Sequence, residues 1–136
     1  MISTAIRSKL MQNLVLQPLI STYNFGTIEQ AIFTTSSLPQ NATLPAILIT
    51  ELGGTNWGTR GSRGLNCRIQ IRLFGDRYNN HNLNQAAWEI YDSLDRADLT
   101  IAGYDLITCN CEAPQFIEDE TGSPGYILFA DVSIIE

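Results

Sequence analysis

Residues 65–74 read "LNCRIQIRLF", and this run limits the possible folds more than any other part of the chain. Cys67, Ile69, Ile71 and Leu73 fall on one side of an extended backbone. Asn66, Arg68, Gln70 and Arg72 fall on the other, with Phe74 beside them. A period of two with one apolar side marks a strand buried on one face, the half-covered strand of an antiparallel sheet. The rest of the chain must supply partner strands and a layer to cover the Cys67–Leu73 side.

The stretch before it, "AILITEL" (46–52), is apolar on both sides, with Ile47 and Ile49 on one and Ala46, Leu48 and Leu52 on the other. Between these strands lies "NWGTRGSRG" (56–64), where glycines alternate with arginines. Glycine permits positive φ or simple flexibility, so residues 53–64 are expected to form a long, flexible hairpin connection. A phosphate cradle has no physical basis there: no G-x-x-x-x-G-K-[ST] spacing occurs, and a strand follows instead of a helix N-terminus.

Helical periodicity appears twice. Ile2, Ile6, Leu10 and Leu14 predict a helix over roughly 2–17, stopped near Pro18. Leu83, Ala87, Ile90 and Leu94 form the inward stripe of a second helix over 79–96, with Asp92 and Asp95 outside it. Residues 30–35 suggest a short strand. "LTI" (99–101), a turn at Ala102-Gly103 and "YDLITCNCEA" (104–113) suggest a hairpin, with Ile107, Cys109 and Cys111 facing in. The closing strand, 126–135, turns Leu128, Ala130, Val132 and Ile134 inward, and residues 114–125 read as an acidic loop.

These pieces fit one α+β domain over 1–136, with an antiparallel sheet of about four main strands and two helices packed on one face. A chain of this length buries about two-thirds of its unfolded surface. The face away from the helices is expected to carry Ile47, Ile49, Phe74, Phe129 and Ile135 beside Arg68 and Arg72, an apolar patch of the kind that contacts a partner.

Charge is divided along the chain. Residues 1–88 hold seven bases and three acids, and residues 89–136 hold one base and eleven acids. This division suits self-association, basic part to acidic part, and it disfavours a general nucleic-acid binder. No apolar run is long enough for a membrane span. Gln12, Asn13 and Gln17 interrupt any secretory segment, so synthesis is expected in the cytoplasm. Cys67, Cys109 and Cys111 are expected to be reduced core thiols. His81 is the only histidine and no catalytic, metal or cofactor constellation emerges, so the chain reads as a non-enzyme without a cofactor.

The order of elements resembles the tail-completion, or tail terminator, proteins of tailed bacteriophages. The resemblance rests on "LPAILITEL", then "NWGTRGSRGLNCRIQIRLFGDR", the helix "NQAAWEIYDSLDR", the hairpin "LTIAGYDLITCNCE" and the closing "GYILFADVSIIE". It implies a structural virion protein, assembled in the bacterial host, that forms a homo-hexameric ring at the head-proximal end of the tail tube. Such a ring stops tube polymerisation and joins the tail to the head connector or stopper, with duplex DNA passing through only in transit. Alternatives are a head-completion or stopper protein of the neck, or a cytosolic nucleic-acid-binding protein.

On this reading the expected subunit and partner interface comprises Trp57, Arg60, Arg63, Arg68, Arg72, Phe74, Glu118, Asp119 and Glu120. Arg60 and Arg63 would meet acidic groups of a neighbouring subunit or tube protein, with Glu118, Asp119 and Glu120 the leading candidates, and Trp57 would be the buried anchor.

Overall fold

The computed structural model describes residues 2–35, 37–39, 42–59, 62–75, 82–101, 103–118 and 123–136. Helix α1 (Ile2–Met11) buries Ile2, Ile6 and Leu10 along one stripe. Its N-terminus is held from the sheet: the Ser3 amide donates to Glu51 Oε1 at 3.0 Å. That bond holds the Glu51 carboxyl below the usual carboxylate range. The helix ends earlier than its periodicity suggests, because Asn13 offers the backbone another partner. Asn13 Oδ1 accepts from the amides of Val15 and Leu16, at 2.9 and 3.0 Å. Leu14 is consequently 78% exposed instead of inward, and Leu16 takes the buried place. A short 3-10 turn, Gln17–Leu19, follows with Pro18 inside it.

Strands β1 (Thr22–Asn24) and β2 (Ile28–Gln30) form a small antiparallel hairpin. The main sheet contains β3 (Ile32–Phe33), β4 (Ala46–Thr59), β5 (Ser62–Phe74), β6 (Asp105–Cys111), β7 (Gln115–Glu118) and β8 (Pro124–Ile135). Its order is β3-β4-β5-β8-β6, and β7 also pairs with β8. The sheet therefore has six strands, where about four were expected, and it is mixed, because β3 runs parallel to β4. The four long strands β4, β5, β8 and β6 remain antiparallel to their neighbours. β6 and β7 lie end to end along β8, so part of the expected acidic loop is a strand.

Helix α2 (Leu83–Leu94) buries Leu83, Ala86, Ala87, Ile90 and Leu94 and lies with α1 over one face of the sheet. Ile69, Ile71, Leu73, Leu128, Ala130, Val132 and Ile134 point into that layer and are fully or almost fully buried. Register settles the direction of β4. Ile47 stands opposite Leu73 and Ile49 opposite Ile71, so both isoleucines belong to the helix-covered core and not to the outer patch. Ala46, opposite Phe74, and Leu48, opposite Arg72, are the apolar residues that β4 places on the outer face before the bulge.

Two bulges redirect the sheet. Leu52 is the extra residue where the β4–β5 register shifts between Glu51 and Gly53, and Gly53 takes φ 132°, which side-chain-bearing residues rarely adopt. A second shift between Leu106 and Thr108 leaves Ile107 outside the ladder and 49% exposed, against the expectation that it faces in. Cys109 and Cys111 do face in, as free thiols. Burial pushes them up to about 11 and about 12 respectively. Cys67 is intermediate in exposure, and its thiol is raised by burial too.

The glycine–arginine stretch also differs from expectation. β4 and β5 pair continuously through Asn56↔Leu65, Trp57↔Gly64, Gly58↔Arg63 and Thr59↔Ser62, so 53–59 and 62–64 belong to the ladder where a long connection was expected. Glycine serves close approach here: a Cβ on Gly54 would come within 2.7 Å of the Asn66 carbonyl oxygen.

Candidate assembly surface

The sheet face away from the helices is built from every second residue of β4, β5, β8 and β6. β5 supplies Asn66, Arg68, Gln70, Arg72 and Phe74. β8 places Ser133 opposite Asn66, Asp131 opposite Arg68, and Ile127 opposite Arg72. A trough of about 720 Å³ runs between the β4–β5 arm and β6, bordered by Leu52, Thr55, Asn66, Arg68, Asp131 and Ser133.

Arg68 is engaged within its own chain. Its Nη1 donates to both Asp131 oxygens at 3.0 and 3.1 Å and its Nη2 to Glu112 at 3.3 Å, while the guanidinium lies 4.4 Å from the Phe129 ring centroid. The two carboxylates hold the guanidinium in its charged form, raising its pKa against the opposing effect of burial. Alongside, Ser133 Oγ donates to Asn66 Oδ1 at 2.7 Å. Arg72 caps Phe74 in the same way, 4.7 Å from the ring centroid, and its Nε has no hydrogen-bond partner among the described residues. The arginines thus screen the aromatic part of the expected patch, leaving Phe74, Phe129 and Ile135 half-buried.

The expected interface residues divide between two ends of the sheet. Arg63 sits near the arm tip, its side chain 74% exposed and its Nε 3.8 Å from Glu136. Trp57 pairs with Gly64 through the backbone. Glu118 closes β7 opposite Pro124, at the start of β8, whereas Gly64 lies opposite Ile135 at its finish. Eleven steps of strand separate these levels, roughly 35 Å at the usual rise per residue. Arg63 and Glu118 of one chain therefore cannot meet. Arg60, Asp119, Glu120 and the Trp57 side chain lie outside the described residues, as does His81.

Among the described residues no group of three or more His, Cys, Asp or Glu side chains could hold a metal ion. No described helix is long and apolar enough to cross a membrane.

The comparisons with known proteins agree with the element order. A sequence profile described as tail completion protein gp17 matches residues 4–129, nearly the whole chain. The chain belongs to this family. It is a structural protein of a phage tail, and its place is in the virion. No curated protein sequence matches. Among solved structures, a chain of the "virion of native gene transfer agent (GTA) particle" has the same fold. It superposes with a TM-score of 0.73 at 17% identity, over 98% of this chain and 94% of that one.

Sequence reasoning missed the exposed aromatic and apolar groups on the helical side. Trp88 is 45% exposed and packs edge-on against Tyr91, and Leu14 and Val15 are exposed next to Asn13, which bonds to α2. The Trp88 signal was legible in principle: Asn84, Trp88 and Asp92 form the polar stripe of α2, and a tryptophan there has no core to enter.

Proposed function

We propose that this protein is a tail terminator: a hexameric ring that ends tail-tube polymerisation at the head-proximal end and joins the tail to the head connector, with DNA passing through the lumen. The observation that carries this reading is the family match over residues 4–129. The placement of charge along the strands supports it. Arg63 lies at the arm end and Glu118 at the β7–β8 end, and in sequence Arg60 is near the first while Asp119 and Glu120 follow the second. A ring whose subunits stand side by side then has one rim that carries Arg63 with Glu136 and Asp105 and another that carries Glu118, one for the tube and one for the connector. Trp57, Arg60 and Arg63 contact one axial partner, and the acidic triplet contacts the other. Arg68, Arg72 and Phe74 shape the face between. The acidic balance of the chain also suits a channel through which DNA must slide, because fixed positive charge would hold phosphates.

The test is reconstitution. Purified protein is added to growing tail tubes of the same phage and the ends are viewed by electron microscopy. A ring at one end of each tube, with elongation arrested there, is expected. Tubes that keep growing with uncapped ends would refute the reading.

A further inference from the structure

The main sheet has two open edges, and they are open at the same level. On β4, β3 covers only Ile47 and Leu48, and among the described residues nothing pairs with the outer side from Gly53 to Thr59. On β6, the segment after α2 covers the far half. The Arg96 amide donates to the Cys109 carbonyl at 2.7 Å, and the Cys111 amide donates to Asp95 Oδ1 at 3.1 Å. Among the described residues no backbone group hydrogen-bonds to the outer side of Asp105–Thr108. Register places the open halves side by side across the sheet. Thr55 and Asn56 stand opposite Asn66 and Leu65, these opposite Ser133 and Ile134, and those opposite Thr108 and Leu106.

Alternation within the ladder identifies the outward groups. The Ile47 amide donates to the Ala31 carbonyl at 2.9 Å, so positions 47 and 49 face out of β4. The extra residue Leu52 reverses the parity, and beyond it the backbone groups of Gly54, Asn56 and Gly58 face out. A row of unpaired amides and carbonyls is a template for another strand. Direction matches too. β4, β5, β8 and β6 alternate, so β4 and β6 run opposite ways. A second copy displaced sideways, with the same face up, presents its β4 antiparallel to the first copy's β6.

We propose that neighbouring copies join edge to edge, Gly54–Thr59 of one pairing with Asp105–Thr108 of the next, so that the sheet continues from subunit to subunit. This rests on the ring reading above and names its lateral contact. The contact is heterologous, as a ring requires, because two different edges meet and every copy offers both. It brings the arm end of one copy, with Arg63, beside Asp105 of its neighbour. It also covers Ile107, which is 49% exposed next to a groove of about 240 Å³ flanked by Arg96 and Ala97. Both open edges carry a bulge, at Leu52 and Ile107.

The test uses assembled particles. A phage lacking this gene is complemented with Asn56→Cys, Ile107→Cys, or both, in a Cys67→Ser background. Purified tails are treated with bifunctional maleimides of short and long span. Asn56 and Ile107 are exposed, whereas Cys109 and Cys111 are buried and stay unlabelled. The double variant should give a ladder ending at the closed oligomer, and each single variant should stay monomeric. Dimers from Ile107→Cys alone would mean two-fold β6–β6 pairing and would overturn the proposal. Monomers from the double variant, in tails of normal length that contain the protein, would also overturn it while leaving the ring reading intact. Absence of the protein from tails would instead overturn the ring reading. As an independent check, Asn56→Pro removes one outward N–H at an edge where proline is tolerated. The expected result is an unchanged melting temperature with loss of complementation; full complementation would count against edge pairing.

Discussion

Asn13 ends α1 and fastens it to α2, and replacing it with alanine tests both roles. Its Oδ1 accepts from two backbone amides, at 2.9 and 3.0 Å. Its Nδ2 lies 2.7 Å from Ser93 Oγ, 3.2 Å from Glu89 Oε2 and 3.4 Å from the Glu89 carbonyl oxygen. An amide nitrogen has two hydrogens, so no more than two of those three acceptors are served at once. Losing a cap of this kind costs about 1 kcal/mol. Losing two partly exposed tethers, where water substitutes in part, costs roughly 1 kcal/mol more. The total, about 2 kcal/mol, corresponds to a fall in Tm of roughly 8 °C for a domain of this size. Urea unfolding followed by circular dichroism measures it directly. Asn13→Asp separates the roles, because it keeps the Oδ1 cap, removes the donors and sets a carboxylate against Glu89. It should lose at least as much stability at low salt and recover part of it at high salt, where the repulsion is screened. An Asn13→Ala variant within about 0.5 kcal/mol of the parent, the range of ordinary surface substitutions, would refute this account of how α1 is terminated.

The buried thiols make stability fall in alkali. Cys109 and Cys111 ionise at about 11 and about 12 in the folded chain, against 9.0 unperturbed, so the unfolded chain loses these protons first. Their contribution is whole below pH 9 and declines as pH rises through the folded values, by about 1.4 kcal/mol per pH unit for each thiol between its two pKa values. The double Cys→Ser variant should flatten that limb of a stability–pH curve. For Glu51 the sign is opposite. Its folded pKa is lowered, so its support of α1 is present above the unfolded carboxylate pKa and is lost on acidification, and Glu51→Gln should reduce the acid sensitivity measured by thermal melts. Gly54→Val would drive a branched side chain against the Asn66 carbonyl, and hydrogen exchange should show faster opening of β4–β5 pairs beyond the bulge. Reversing Arg60 and Arg63 to glutamate should leave the melting temperature within a few degrees of the parent yet abolish complementation of a deletion phage.

The alternating β5, the β8 core positions and the stripe of α2 were legible in the sequence because one covered face imposes a strict period on each. What the sequence concealed has local causes. The run Ala46–Leu52 is apolar on both sides, so only register with Leu73 and Ile71 could tell which side Ile47 and Ile49 take. Ile107 follows the inward alternation of Cys109 and Cys111, but one inserted residue turns it out, and periodicity cannot reveal an insertion. Leu14 sits at helical spacing, yet the Asn13 side chain ends the helix before it. The glycines at 53–64 suggested a loop because glycine signals flexibility and close packing alike, and here Gly54 is packed against a neighbouring strand. Of the expected interface, Arg68 was found as a cation on the outer face. Its two carboxylate partners, Asp131 on β8 and Glu112 just after β6, are too distant in sequence for any local pattern to have joined them to it.

The measurement that tests the central claim most directly is the distribution of tail lengths, by electron microscopy, in lysates of a phage lacking this gene. The account predicts overlong tails of variable length, unattached to filled heads, and restoration of a single length when the gene is supplied. Tails of normal length lying free beside heads, or intact particles, would contradict it.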